Sequence, residues 1–113
     1  MNKRDIERLR KRDKYCWHCG EDVDLVPHHR KNRGMGGRPS LDVPANVIMV
    51  CAIYNGLMES NAGTAELAND YGHKLRQWQD FTHPCFDVPS GTWYRLEQNF
   101  SKTVVEKPDT LLF

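Results

Sequence analysis

Residues 30–45 most restrict how this chain can fold. They carry four basic side chains, three Gly and two Pro, with no apolar periodicity. A stretch of that length without secondary structure, inside a small domain, is either a functional loop or a disordered one. It is bounded by two short runs, Leu25-Val26-Pro27-His28-His29 before it and Asn46-Val47-Ile48-Met49-Val50-Cys51 after it. These read as the two strands of a hairpin-like pair, the first ending in the His pair where the polar loop begins.

The remaining elements follow from period and punctuation. Residues 3–14 hold seven basic and three acidic side chains with only Ile6 and Leu9 as an apolar ridge. They predict a short helix docked by a narrow stripe, its other sides facing solvent or phosphate. Tyr15-Cys16-Trp17-His18-Cys19-Gly20 reads as a knuckle presenting two thiols, and residues 21–24 as an acidic turn. Residues 55–71 predict a helix with a break near 61–63, stopped by Gly72. Lys74–Trp78 alternates like a strand. Residues 86–88 and 92–96, joined through Pro89-Ser90-Gly91, predict a β-hairpin, and Val104-Val105 a further short strand. The Trp and Tyr residues from 78 to 94 stand at strand spacing and read as a small β core rather than a base-stacking platform. The tail at 107–110 reads as loose. The expectation is one α+β domain over residues 1–113: a core at about 15–70 and a β extension at about 72–106.

The formal charge of +1 conceals a division. Residues 1–40 hold 11 Lys/Arg against 6 Asp/Glu (11 − 6 = +5), and the rest hold 5 against 9 (5 − 9 = −4). A basic half beside a Gly-rich loop is what a polyanion-binding face needs, although basic helices are also common solvated faces. No apolar run approaches the ~20 residues that span a bilayer, and the charged start is not a signal peptide. A cytoplasmic location is therefore expected, where four Cys favour metal binding or free thiols over disulfides.

The chemistry concentrates between His28 and Glu59. Hydrolysing a phosphodiester at neutral pH needs an activated water and a cation at the phosphate. Adjacent residues on a strand point to opposite sides, so one of His28 and His29 can face a metal while the other addresses water. Asn55 and Glu59 are i, i+4 on a helix, so an amide oxygen and a carboxylate share one face. Imidazole, amide oxygen and carboxylate together suit Mg²⁺, Mn²⁺, Ni²⁺ or Zn²⁺. Taken singly, each residue also has a plainer reading: Asn55 as a helix cap, Asn46 as a turn residue, the His pair as hydrogen-bonded structure.

Cys-x-x-Cys, a strand ending in His-His, a loop, Asn, a strand, Cys, and a helix opening with Asn together resemble the HNH endonucleases, whose core is the ββα-metal (His-Me) finger. The likeness covers about residues 15–60. Arg33-Gly34-Met35-Gly36-Gly37, Asn55–Ser60 and Trp78-Gln79-Asp80 are further similar to small HNH proteins of bacteriophages, especially those infecting actinobacteria. The resemblance implies His29 as the general base, His28 as a metal ligand, and Asn46 as the residue that holds the base-bearing loop and orients the His ring. It implies Asn55 as a second metal ligand, in the position that is Asn in an H-N-N subgroup, and Glu59 as a third. It also implies a structural zinc on Cys16, Cys19 and Cys51.

The chain departs from that pattern where a fourth thiol would stand, since Cys51-Ala52-Ile53-Tyr54 ends in Tyr. A phenol titrating near ~10 is a poor zinc ligand at neutral pH. Either His18, His73, His83, Cys85 or water completes the site, or the thiols pack without metal as small hydrophobes. Arg30, Lys31, Arg33 and Arg38 are the expected phosphate contacts, which position DNA without reading its sequence. The family reading is thus a phage-encoded DNA endonuclease with one catalytic divalent cation, in the cytoplasm of an infected bacterium. The rival is a non-catalytic DNA-binding accessory that docks on packaging (terminase) proteins. Oligomeric state and the choice between nicking and double-strand cutting stay open.

Overall fold

The computed structural model describes residues 1–32 and 39–108. Helix α1 spans Lys3–Asp13 and begins where the Asn2 side chain accepts the Asp5 N–H, satisfying a donor that a helix start otherwise leaves orphaned. Strand β1 (Leu25–His29) pairs antiparallel with β2 (Val47–Cys51), His29 opposite Val47 and Leu25 opposite Cys51. Two 3-10 turns, Pro39–Leu41 and Pro44–Asn46, lead into β2.

Helix α2 (Ala52–Ser60) follows β2 without a spacer because Cys51 takes the N-cap position, its sulfur accepting the Tyr54 N–H. Asn55 therefore lies inside the helix, so its reading as a cap does not hold. Asn61 ends α2 by donating its N–H to the Leu57 carbonyl. Its side chain then caps α3 (Ala62–Asp70) by accepting from Thr64. One residue makes the expected break.

Strands β3 (Cys85–Asp87), β4 (Thr92–Leu96) and β5 (Lys102–Val105) form a second antiparallel sheet in that order. The β3–β4 turn closes through Gly91, whose φ of +68° is open to Gly at no steric cost. The architecture is α+β, three helices with two small antiparallel sheets. Lys74–Trp78 is not a strand: Leu75 donates its N–H to the Arg30 carbonyl, and Gln79 closes a turn on Arg76. Trp78 is 70% exposed, outside the β core it was expected to join. Tyr94, by contrast, packs on Trp17 with ring centroids 5.7 Å apart.

Strand β2 is the spine. Val47 and Met49 pack with Leu9 of α1, whereas Ile48 and Val50 face Trp17, Tyr54, Met58 and Leu96. Strand period 2 thus divides one continuous apolar run between two cores. Each such side chain contributes about 1.5–3 kcal/mol when fully buried. Helix α1 docks by more than its apolar ridge. Arg12 and Asp13 are buried, where an outward-facing basic surface was expected. Arg12 grips the Asp13 carboxylate at 2.6 and 3.0 Å and also donates to the Pro44 and Val47 carbonyls. Asp13 accepts the Met49 N–H at 2.8 Å. A buried ion pair is tolerated on those terms, with the lone pairs and protons engaged. Among the described residues no helix is long and apolar enough to cross a membrane.

Candidate metal and catalytic site

His28 is buried on β1, and its Nε2 donates to the His73 carbonyl at 2.8 Å. A carbonyl only accepts, so Nε2 carries the proton and Nδ1 keeps the lone pair. Burial pushes the ring's pKa down to about 4, against the raising effects of the His73 carbonyl, Asn55 and the Glu59 charge. The imidazole is neutral at pH 7, the form that binds metals.

His73 is itself held at both nitrogens. Tyr54 donates its hydroxyl to Nδ1 at 2.7 Å, and Nε2 donates to the Phe86 carbonyl at 2.6 Å. The backbone reaches this place through Gly72, at φ +72°, where a Cβ would stand 2.2 Å from the Pro84 oxygen. A chain of contacts thus runs from Tyr54 of α2 through His73 to His28. Sequence reasoning saw Tyr54 only as a missing thiol and His73 only as a spare ligand.

His29 is half-buried and turns to a different partner, its Nε2 bonded to Asp42 at 2.9 Å. The Met1 ammonium lies 2.5 Å from the other Asp42 oxygen. Hydrogen bonds from the Met1 ammonium first, and then from the His29 ring, hold the Asp42 carboxyl below its usual range. The ionised carboxylate accepts from Nε2 and leaves Nδ1 of His29 as the basic nitrogen. Asp42 was not foreseen, because no spacing rule connects it to His29.

His28, His29, Asn55 and Glu59 line one polar pocket of about 250 Å³ between β1 and α2. Lys74 also lines it, donating to the Met58 carbonyl at 3.2 Å. A neutral imidazole, an amide and a carboxylate around that volume suit a divalent cation of hard or borderline character.

Asn46 is fully buried. Its Oδ1 accepts the Lys31 N–H at 2.8 Å, and its Nδ2 donates to the Lys31 and Leu41 carbonyls. It therefore ties the start of the loop after His29 to the turn before β2. The His29 ring is bonded to Asp42, whereas the Asn46 amide is taken up by Lys31 and Leu41.

The expected phosphate contacts divide. Arg30 is a correction: it is 1% exposed, and its guanidinium donates to the carbonyls of Gly72, Ala45, Phe81, His83 and Pro84. It has nothing left to offer a phosphate and instead joins β1 to the segments before β2 and β3. Lys31 is half-buried, its ammonium donating to the Gln77 and Gln79 carbonyls. Arg33 and Arg38 lie outside the described residues. On α1 and just beyond it, Lys3, Arg4, Arg8, Arg10, Lys11 and Lys14 are exposed.

The thiols of Cys16, Cys19 and Cys51 offer sulfurs all within 4.8 Å of one another; no other group of three His, Cys, Asp or Glu does so among the described residues. Cys19 and Cys51 are 3.7 Å apart. Backbone N–H groups of His18 and Tyr54 point at the Cys16 and Cys51 sulfurs, each at 3.4 Å. Burial raises the Cys16 thiol, but hydrogen bonds from Cys19, Cys51 and His18 outweigh it and hold it below the ordinary value. Burial and the neighbouring thiols push Cys19 up to about 11. Three sulfurs this close resist ionising together unless a cation lies among them. The cluster can hold a metal ion.

Comparison with protein-family models, with curated proteins and with solved structures gives no match.

Proposed function

We propose that this chain is a metal-dependent endonuclease of the ββα-metal type that hydrolyses DNA phosphodiester bonds. One observation carries the reading: His28 and His29 from β1 line the same pocket as Asn55 and Glu59 from α2. The order strand, loop, strand, helix around that pocket agrees with the HNH resemblance. His29 Nδ1 takes the proton of the attacking water, and Asp42, bonded to Nε2, stabilises the imidazolium that results. A divalent cation held by His28, Asn55 and Glu59 would polarise the phosphate and stabilise the leaving 3′ oxygen. Asn46 keeps the loop after His29 in place, and Lys74 adds positive charge at the pocket wall.

The exposed cations of α1, with Arg33 and Arg38 of the loop, supply the phosphate contacts, so binding weakens steeply with salt. The reading extends to a phage protein that works in the cytoplasm of the host, alone or with packaging proteins. Relaxation of supercoiled plasmid by wild type and His29→Ala, with Mg²⁺, Mn²⁺ and Ni²⁺ in turn, tests it. Nicking by the wild type and none by the variant is the expected result. Equal activity removes the mechanism, and DNA binding without any cleavage by the wild type turns the chain into a docking module.

A further inference from the structure

The three thiols sit at one end of a second, larger cavity, of about 660 Å³. Cys19 and Cys51 line it, whereas Cys16 is fully buried behind them. Its walls are mostly apolar, with Glu21 and Asp24 also lining it: Val23, Ile53, Leu57 and Leu67 are 60, 77, 41 and 39% exposed. The volume is that of a small-molecule site.

A closed structural zinc site needs a fourth protein ligand, and the structure brings none of the candidates to the three sulfurs. The Tyr54 phenol is turned to His73, and both His73 nitrogens are bonded. The His18 ring lies flat on Tyr54, centroids 4.1 Å apart and planes 7° from parallel. Among the described residues no fourth His, Cys, Asp or Glu joins the three sulfurs within 4.8 Å. A metal with three protein ligands keeps an exchangeable position.

We propose that Cys16, Cys19 and Cys51 hold a thiophilic divalent cation whose fourth position faces the apolar cavity and takes a small apolar thiol from outside the chain. Sulfur is the matching donor, because soft ligands suit a cation already bound by thiolates. The apolar walls select the tail, each methylene they cover tightening binding roughly fourfold. As the metal–sulfur bond forms the incoming thiol loses its proton to the buffer, with no change of oxidation state. The inference does not depend on the nuclease reading.

Cobalt-loaded full-length chain gives the test. One Co²⁺ per chain is expected, with a sulfur-to-cobalt charge-transfer band. Benzyl mercaptan should add the intensity of one further cobalt–sulfur bond and should saturate at less than a tenth of the 2-mercaptoethanol concentration needed. Leu57→Asp, or Leu67→Asp if the first variant does not fold, should keep the band and lose that preference. His18→Ala should leave the band unchanged. Failure of the reduced protein to bind cobalt overturns the proposal. So does a spectrum indifferent to benzyl mercaptan, equal affinity for the two thiols, or a band weakened in His18→Ala.

Discussion

The polar pocket and the thiol cluster both use α2, yet they are assembled by different means. The thiols combine a local pair, Cys16 and Cys19, with Cys51, which stands 32 residues beyond Cys19. Cys16 and Cys19 share one turn, and Cys51 caps the helix that follows its own strand. The pocket depends on distant partners, His28 on a carbonyl 45 residues away and His29 on a carboxylate 13 residues away. The two regions rest on different partners, so a change at one need not reach the other. The two regions are therefore best compared by removing what they share and what they do not.

Arg30 should show the largest effect, because its contacts position His73 and the β3 approach behind the pocket. Arg30→Met strands five carbonyls, with the bonds to Gly72 and Ala45 fully buried, and should cost about 4 kcal/mol of folding stability. Urea unfolding checks this, and a loss under about 1 kcal/mol would mean that the carbonyls find water. In native buffer the same variant should keep cobalt binding at the thiols better than any activity at the pocket.

His29→Ala should lower nicking by about a hundredfold or more, the contribution of a positioned general base. Asp42→Asn should lower it by about tenfold, as its weaker partnership with the imidazolium predicts. An Asp42 variant with full activity would detach that carboxylate from the chemistry.

Tyr54→Phe sharpens the comparison further, since Tyr54 touches both regions. It leaves the His73 Nδ1 buried without its donor and should cost about 2 kcal/mol. Cobalt binding at the thiols should be unchanged, because the phenol is not a ligand in the proposed site. A cobalt spectrum altered by this change would return Tyr54 to the metal shell.

Acid should weaken the fold on the pocket side of the comparison. Burial depresses His73 from its ordinary 6.5 to about 3. The unfolded chain therefore takes up a proton between those values that the folded chain refuses. The contribution is complete above about pH 6.5 and is lost as pH falls towards 3. Urea midpoints at pH 7.5 and pH 5 should show the decline; identical midpoints would mean that His73 is solvated in the fold.

Much of the scaffold was legible in the chain itself. The apolar run of β2, the Pro-Ser-Gly turn before β4 and the break at Asn61 each rest on neighbours close in sequence. Lys74–Trp78 misled because alternation over five residues is satisfied as well by a turn in which Leu75 alone is buried. Arg30 misled for a different reason. A guanidinium in a basic, Gly-rich stretch has the composition of a phosphate contact, and nothing local reports that five carbonyls will surround it.

The sequence by itself determined most of the elements and their order, the Cys-x-x-Cys pair, and the Asn55/Glu59 pair on one helical face. Those depend on backbone periodicity and near neighbours. The tertiary structure alone decided that Arg30 is a buried tie, that Asp42 backs His29, and that Tyr54 serves His73. Each of these outcomes belongs to a polar group whose partner comes from a remote part of the chain. Burial forces such a group to find a partner, and only the packed fold determines which one is within reach.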